Sequence, residues 1–237
     1  MSGKRRGRGK ATGPKSGRDL HVRVKTAKGR KSSSTRWLQR QLNDPYVSAA
    51  RREGYRSRAA YKLLELDQKF RFLNPDGRVV DLGAAPGSWT QVAVERVGRG
   101  GRVVAADIIE MDPVAGATCL RLDVFEEDAI DRLKDGLDGP ADVVLSDMAA
   151  PATGHRHTDH LRIISLCEAA LEVATELLAP GGAFVAKVLQ GGTEQELLAH
   201  LKLRFASVRH AKPDASRKDS AEMYVVALGF RGAATSP

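Results

Sequence analysis

Short apolar runs punctuate the chain from about position 79, and the stretches between them carry helical spacing. The first run, Val79-Val80-Asp81-Leu82, breaks into Gly83-Ala84-Ala85-Pro86-Gly87 and restarts as a helix from about Ser88. That pattern predicts a strand, a tight turn and a helix N-terminus. Further strands are expected over residues 102–106, 118–122 and 142–146, ending in Asp107, Asp123 and Asp147. Residues 161–178 read as a helix that stops at Ala179-Pro180-Gly181-Gly182. Residues 183–188 form a strand carrying Lys187, and residues 194–204 a helix. Two closing strands, 206–211 and 223–228, are joined by a loop, which implies an antiparallel pair. Glu222 opens the last of them. The alternation predicts an α/β, Rossmann-like fold: a mostly parallel seven-stranded sheet with one antiparallel edge strand and helices on both faces.

Ahead of the first strand the spacing changes. Residues 36–52 read as one helix and residues 58–70 as a second, with Ser57 as its N-cap. Ala59, Leu63, Leu66 and Phe70 form the apolar stripe of the second helix, and Lys62 lies beside it. Residues 1–33 are mostly Gly, Lys, Arg and Ser, with too few large apolar side chains to fold alone. The expected organisation is a disordered basic tail, 1–33, and one folded domain, 34–237. Within the domain, residues 34–72 form a helical extension.

Charge sharpens this division. The formal net charge is +9, but residues 1–35 hold twelve Lys or Arg against Asp19 alone. Residues 36–72 hold nine against four acids, while the remainder is acidic, seventeen against twenty-four. A basic arm on an acidic body reads as a grip on nucleic acid, with a solubilising tail as the alternative. No apolar run reaches the roughly 18 residues of a membrane span. Cys119 and Cys167 lie in apolar contexts without metal-like spacing, as expected of core thiols in a reducing, cytoplasmic setting. A secretory signal is absent from the pattern; the basic, Ser-containing start leaves an organellar transit peptide as an alternative.

The candidate chemistry gathers at the strand ends, where open α/β sheets bind ligands. The turn glycines, Gly83 and Gly87, follow G-x-x-x-G rather than the G-x-G-x-x-G of dinucleotide binders. Pro86 removes an amide donor, so the turn makes a poor phosphate cradle. It suits a nucleoside ligand without a phosphate chain, such as S-adenosylmethionine, as well as an ordinary βα turn. Asp107, twenty residues beyond Gly87, can accept from both ribose hydroxyls, and Asp123 would fall near the adenine. Trp89 either packs on the ligand or fills the core. Lys187, near the end of an apolar strand, needs a partner or a cleft unless it snorkels. Adjacent strands would set it beside Asp147.

Five stretches in one order resemble the FtsJ/RlmE family of ribose 2′-O-methyltransferases. They are residues 56–63 (RSRAAYKL), 81–87 (DLGAAPG), 146–149 (SDMA), 187–191 (KVLQG), and 212–217 (KPDASR) running on to 222–227 (EMYVVA). The resemblance spans about residues 34–229. It implies a Rossmann-like S-adenosylmethionine-dependent methyltransferase fold, and a Lys-Asp-Lys-Glu tetrad on Lys62, Asp147, Lys187 and Glu222. It also implies cofactor contacts at Gly87, Trp89, Asp107, Asp123 and Asp147. The substrate it implies is a uridine in 23S ribosomal RNA of the large subunit, presented on the assembled 50S particle to a monomeric enzyme. Ser88 departs from the family's second glycine, and a serine there is expected to cap the helix.

Residues 155–160 (HRHTDH) hold three imidazoles and an acid but match no standard zinc spacing. A polar substrate-side loop is expected, with no metal. Arg51, Arg52, Arg56 and Arg58 are expected to contact phosphates. An ordinary lysine titrates near ~10.4, so Lys187 acts either as a base tuned by its neighbours or as a stabiliser of the ribose alkoxide. The competing readings are the same chemistry on transfer RNA or a messenger cap, a nicotinamide-dependent dehydrogenase, and a non-catalytic ribosome-assembly protein.

Overall fold

The computed structural model describes residues 32–151, 153–190 and 195–232. Residues 1–31 of the expected tail 1–33 therefore lie outside the described residues, as does Gly191 of the fourth motif, while Ser32 and Ser33 are not disordered but open the first helix. Three helices come first: α1 (Ser32–Leu42), α2 (Pro45–Glu53) and α3 (Ala59–Phe70). Then follow β1 (Arg78–Leu82), α4 (Ser88–Val97), β2 (Arg102–Asp107), β3 (Thr118–Arg121), α5 (Ala129–Leu137) and β4 (Ala141–Ser146). The chain closes with α6 (Arg156–Leu177), β5 (Leu178–Leu189), α7 (Gln195–Arg204), β6 (Phe205–Ala211) and β7 (Glu222–Phe230).

The seven strands form one sheet in the order β3-β2-β1-β4-β5-β7-β6. All neighbours from β3 to β5 are parallel, and β7 runs antiparallel to both β5 and β6. The fold class is the one the alternation predicts. The antiparallel pairing falls at the expected end of the sheet, but the reversed strand, β7, sits one place in from the edge strand β6.

Period-two alternation sorts the core onto two faces. Val80, Leu82, Val104, Val144 and Phe184 pack under α5, α6 and α7. Val79, Val103, Leu145, Val185 and Tyr224 pack under α3 and α4. The N-terminal extension breaks where one helix was expected. Asp44 caps α2 by accepting from the Tyr46 amide at 3.0 Å, and Pro45 takes the first helical position, where its missing N–H costs nothing. Strand β5 begins at Leu178, five residues earlier than its apolar run, because Leu178 still pairs with Ala141 before a register shift. Helix α6 likewise starts at Arg156 and absorbs the histidine-rich loop. No described helix is long and apolar enough to cross a membrane.

Candidate active site

Register builds one end of the site. Ser146 lies beside Ala186, and Ala186 beside Val225. One step further along the same row come Asp147, Lys187 and Tyr224, with Lys187 directly opposite Tyr224. The Lys187 ammonium donates to its neighbour's carboxylate, 2.9 Å from Asp147 Oδ1, and to the Asp147 carbonyl at 2.8 Å. The Tyr224 hydroxyl donates to the same Oδ1 at 2.7 Å. Two residues along β7, on the same face, Glu222 meets Lys62 from α3, at 2.7 Å from Oε1 and 2.9 Å from Oε2. Lys62 also donates to the Tyr224 hydroxyl at 3.2 Å. All four members of the expected tetrad therefore converge.

The sequence reading missed the residue at its centre. Tyr224 joins the two ion pairs in the order Lys62, Tyr224, Asp147, Lys187. Burial, then the charges of Asp147 and Glu222, push its phenol well above the ordinary value, so it stays an O–H donor. Burial pushes Glu222 up, but Lys62, Lys187 and the Ser216 hydroxyl together take its carboxyl below the ordinary range. Ser216, also missed, donates to Glu222 Oε1 at 2.8 Å. A signal for Tyr224 was present: it is the one polar-tipped residue in an apolar strand, in phase with Glu222.

The other end of the site lies beyond β1, β2 and β3. Asp107 Oδ2 accepts from the Ala85 amide at 2.9 Å, and Oδ1 from the Ile109 amide at 2.8 Å. Asp123 Oδ1 accepts from the Phe125 amide at 3.1 Å. Ile108, Ile109 and Phe125 flank these acids and are each more than 60% exposed. Asp81, fully buried on β1, accepts from the Thr90 hydroxyl at 2.7 Å, and its Oδ1 has no partner. Burial, then the charges of Asp147 and Asp107, push its carboxyl up to about 7 despite the Thr90 bond.

Several expectations need correction here. The turn glycines leave room for neighbouring side chains of the protein. A Cβ on Gly83 would lie 2.6 Å from Met148 Cγ, and one on Gly87 2.7 Å from Arg56 Nη1. Both glycines also have positive φ, +70° and +100°. Trp89 is 2% exposed, packs at a tilt against the Tyr224 ring and donates its indole N–H to the Ala59 carbonyl at 2.8 Å, so its ring is core. Ser88 does not cap α4; Gly87 holds that position, and the Ser88 hydroxyl pairs with that of Ser57 at 2.7 Å.

Two of the four arginines are struts. The Arg56 guanidinium donates to the carbonyls of Pro86, Asp112 and Pro113 at 2.6–2.8 Å, which ties the glycine turn to the segment after β2. Arg58 is paired with Asp44 and with the Ala215 carbonyl. Arg51 and Arg52 remain exposed on α2. In the histidine-rich segment Asp159 accepts from Thr153 and Gly154, which closes the loop before α6. Among the described residues no three His, Cys, Asp or Glu side chains are grouped to hold a metal.

The strand order, the phosphate-unsuited turn and the acid-lined strand ends beside paired lysines define a Rossmann-like enzyme of the methyltransferase class. The chain belongs to the FtsJ-like methyltransferase family, whose model matches residues 55–230. It is 64% identical to the ribosomal RNA large subunit methyltransferase E of Parvibaculum lavamentivorans, over 100% of this chain and 97% of that one. It is 65% identical to the protein of the same name from Paramagnetospirillum magneticum, over 95% of each. Among solved structures, a Plasmodium falciparum chain described as a ribosomal RNA methyltransferase superposes with a TM-score of 0.68. That match has 32% identity and covers 76% of this chain and all of the other.

Proposed function

We propose that this methyltransferase moves the methyl group of S-adenosylmethionine to the ribose 2′-oxygen of a uridine in 23S ribosomal RNA, acting as a cytoplasmic monomer on the assembled 50S subunit. The names of its relatives support the substrate. The observation that carries the chemistry is the row Lys62, Tyr224, Asp147, Lys187 at the carboxyl edge of the sheet.

The residues present fit the methyl donor. Three strand-end carboxylates, Asp107, Asp123 and Asp147, suit a ligand that carries hydroxyls and positive charge, and they repel phosphate. The exposed Ile108, Ile109 and Phe125 offer apolar surface for a flat base. Asp107 is assigned to the ribose, Asp123 to the adenine end and Asp147 to the methionine end. Gly87 and Trp89 contribute through backbone at the start of α4. When bound, the sulfonium supplies an already activated methyl group.

The chain's own task is to align the acceptor oxygen and manage one proton. Lys187 spends two donors on Asp147, which fixes its Nζ. Its third N–H is left for the 2′-oxygen, where it would stabilise negative charge while that oxygen takes the methyl group, the donor sulfur becomes a neutral thioether and the O–H proton passes to solvent water. Asp147 orients Lys187, and Tyr224 holds Asp147 from the other side. Lys62 and Glu222 close the frame and keep the local charge balanced. Arg51 and Arg52 on α2, together with the basic tail, contact phosphates and make binding salt-dependent.

Mapping ribose methylation on total RNA from cells with and without the gene tests the reading. The expected result is loss of one 2′-O-methyl group from a large-subunit uridine. Loss from transfer RNA or a messenger cap would move the same chemistry to another substrate, and an unchanged map would overturn the proposal.

A further inference from the structure

The turn between β6 and β7 is gripped from one helix. The Ala215 amide donates to Glu65 Oε2 at 2.9 Å, and the Ala215 carbonyl accepts from the Arg58 guanidinium. Ala215 is fully buried and Ser216, the next residue, is 3% exposed. Ser216 is the residue whose hydroxyl meets Glu222 Oε1 at 2.8 Å. Arg58, Lys62 and Glu65 are spaced four and three residues apart, so they share one stripe at the start of α3. The middle member reaches Glu222 itself, and the outer two hold the turn that orients it. Each outer member has its own support from the N-terminal end of α2, the cap Asp44 and the first-turn Tyr46. Asp44 pairs with Arg58, and the Tyr46 hydroxyl donates to Glu65 Oε1 at 3.2 Å. The Arg58 guanidinium also lies over the Tyr46 ring, 5.5 Å from its centroid.

We infer that Arg58 and Glu65 are positioning residues for methyl transfer: by fixing both polar groups of Ala215 they place Ser216, and Ser216 sets the Glu222 carboxylate that holds Lys62. The inference rests on the proposed role of the tetrad. It follows from the geometry of a carboxylate with two lone-pair edges. Unless Ser216 holds Oε1, Glu222 can rotate, and Lys62 loses the alignment that places another of its donors on Tyr224. The clamp also makes the catalytic frame depend on the packing of α2, the helix that exposes Arg51 and Arg52.

The test is steady-state methyl transfer by the full chain to 50S subunits lacking the modification, with Ser216→Ala, Glu65→Ala, Glu65→Gln and the double variant Ser216→Ala/Glu65→Ala. Ser216→Ala should lower kcat about tenfold, with KM for the subunit and Kd for S-adenosylmethionine within about twofold. Glu65→Ala should lower kcat roughly ten- to thirtyfold, and Glu65→Gln, which keeps an acceptor for Ala215, should recover to within about threefold of wild type. Because both losses act through one carboxylate, the double variant should be no slower than Glu65→Ala alone. Multiplied losses, or a wild-type kcat in Ser216→Ala, would overturn the inference; the second readout stands even if Glu65→Ala fails to fold. Lys187→Ala in the same assay separates the two layers. Inactive Lys187→Ala with fully active Ser216→Ala removes the clamp alone, whereas active Lys187→Ala removes the tetrad reading and the inference with it.

Discussion

The two ends of the site are built on different plans. Beyond β4, β5 and β7, charged groups meet partners far away in the chain: Lys187 reaches back 40 residues to Asp147, Tyr224 reaches 77, and Lys62 reaches 160 to Glu222. Beyond β1, β2 and β3, Asp107 and Asp123 meet backbone amides and, among the described residues, no charged partner, and apart from the Ala85 amide, 22 residues before Asp107, those amides are local. Asp107 and Asp123 each accept from the amide two residues on, and Asp81 keeps one buried oxygen without a partner. The first end is complete before any ligand arrives, so its geometry is fixed in advance of the reaction. The second end leaves acceptors and exposed apolar side chains for a ligand to satisfy. Under the proposed function, rigidity falls where an atom must be aligned, and open acceptors and apolar surface where a molecule must be recognised.

The contrast breaks most visibly through Asp81. Its carboxyl is pushed up to about 7 in the folded protein, chiefly by burial, against about 3.9 in an unfolded chain. The folded state then holds a proton the unfolded state has lost, so this group's contribution is fully present below about pH 4. It declines as pH rises and is gone above about 7, a loss of up to roughly 4 kcal/mol. Asp81→Asn should remove that slope. Its denaturant midpoint, measured from pH 5 to 8, should gain on wild type as pH rises; parallel curves would contradict the assignment. Asp107→Ala should come next, raising Kd for S-adenosylmethionine by roughly 30- to 100-fold with kcat at saturation nearly unchanged. An equal fall in kcat would erase the division between the two ends. Tyr224→Phe removes one hydroxyl from the prebuilt end, and should lower kcat about tenfold without moving cofactor affinity.

The same contrast explains what could be read from the residues. Strand ends and their acids were legible because period-two alternation, a terminal Asp and a small-residue turn are local signals. The tetrad was legible because lysine inside an apolar strand is costly, and because five motifs kept the family's order. Tyr224 escaped because a tyrosine in a strand reads as core, although its phase with Glu222 pointed to the site. The structural bonds of Arg56 and Arg58, expected as phosphate contacts, were not legible. Beside the Asp44 carboxylate that pairs with Arg58, their partners are carbonyls at positions 86, 112, 113 and 215, and backbone acceptors leave no mark in a sequence. The close neighbours of the glycines, Met148 and Arg56, left no mark for the same reason: they come from elsewhere in the chain. The helix break at Asp44-Pro45, by contrast, carried a plain signal, an N-cap acid before a first-turn proline.

Single-turnover methyl transfer by Lys187→Ala, measured alongside its affinity for S-adenosylmethionine, tests the central claim most directly. A prebuilt frame that aligns the 2′-oxygen through Lys187 predicts a rate lower by roughly a thousandfold or more, with cofactor Kd within about twofold of wild type. An unchanged rate, or a loss that vanishes once the cofactor is saturating, would contradict it.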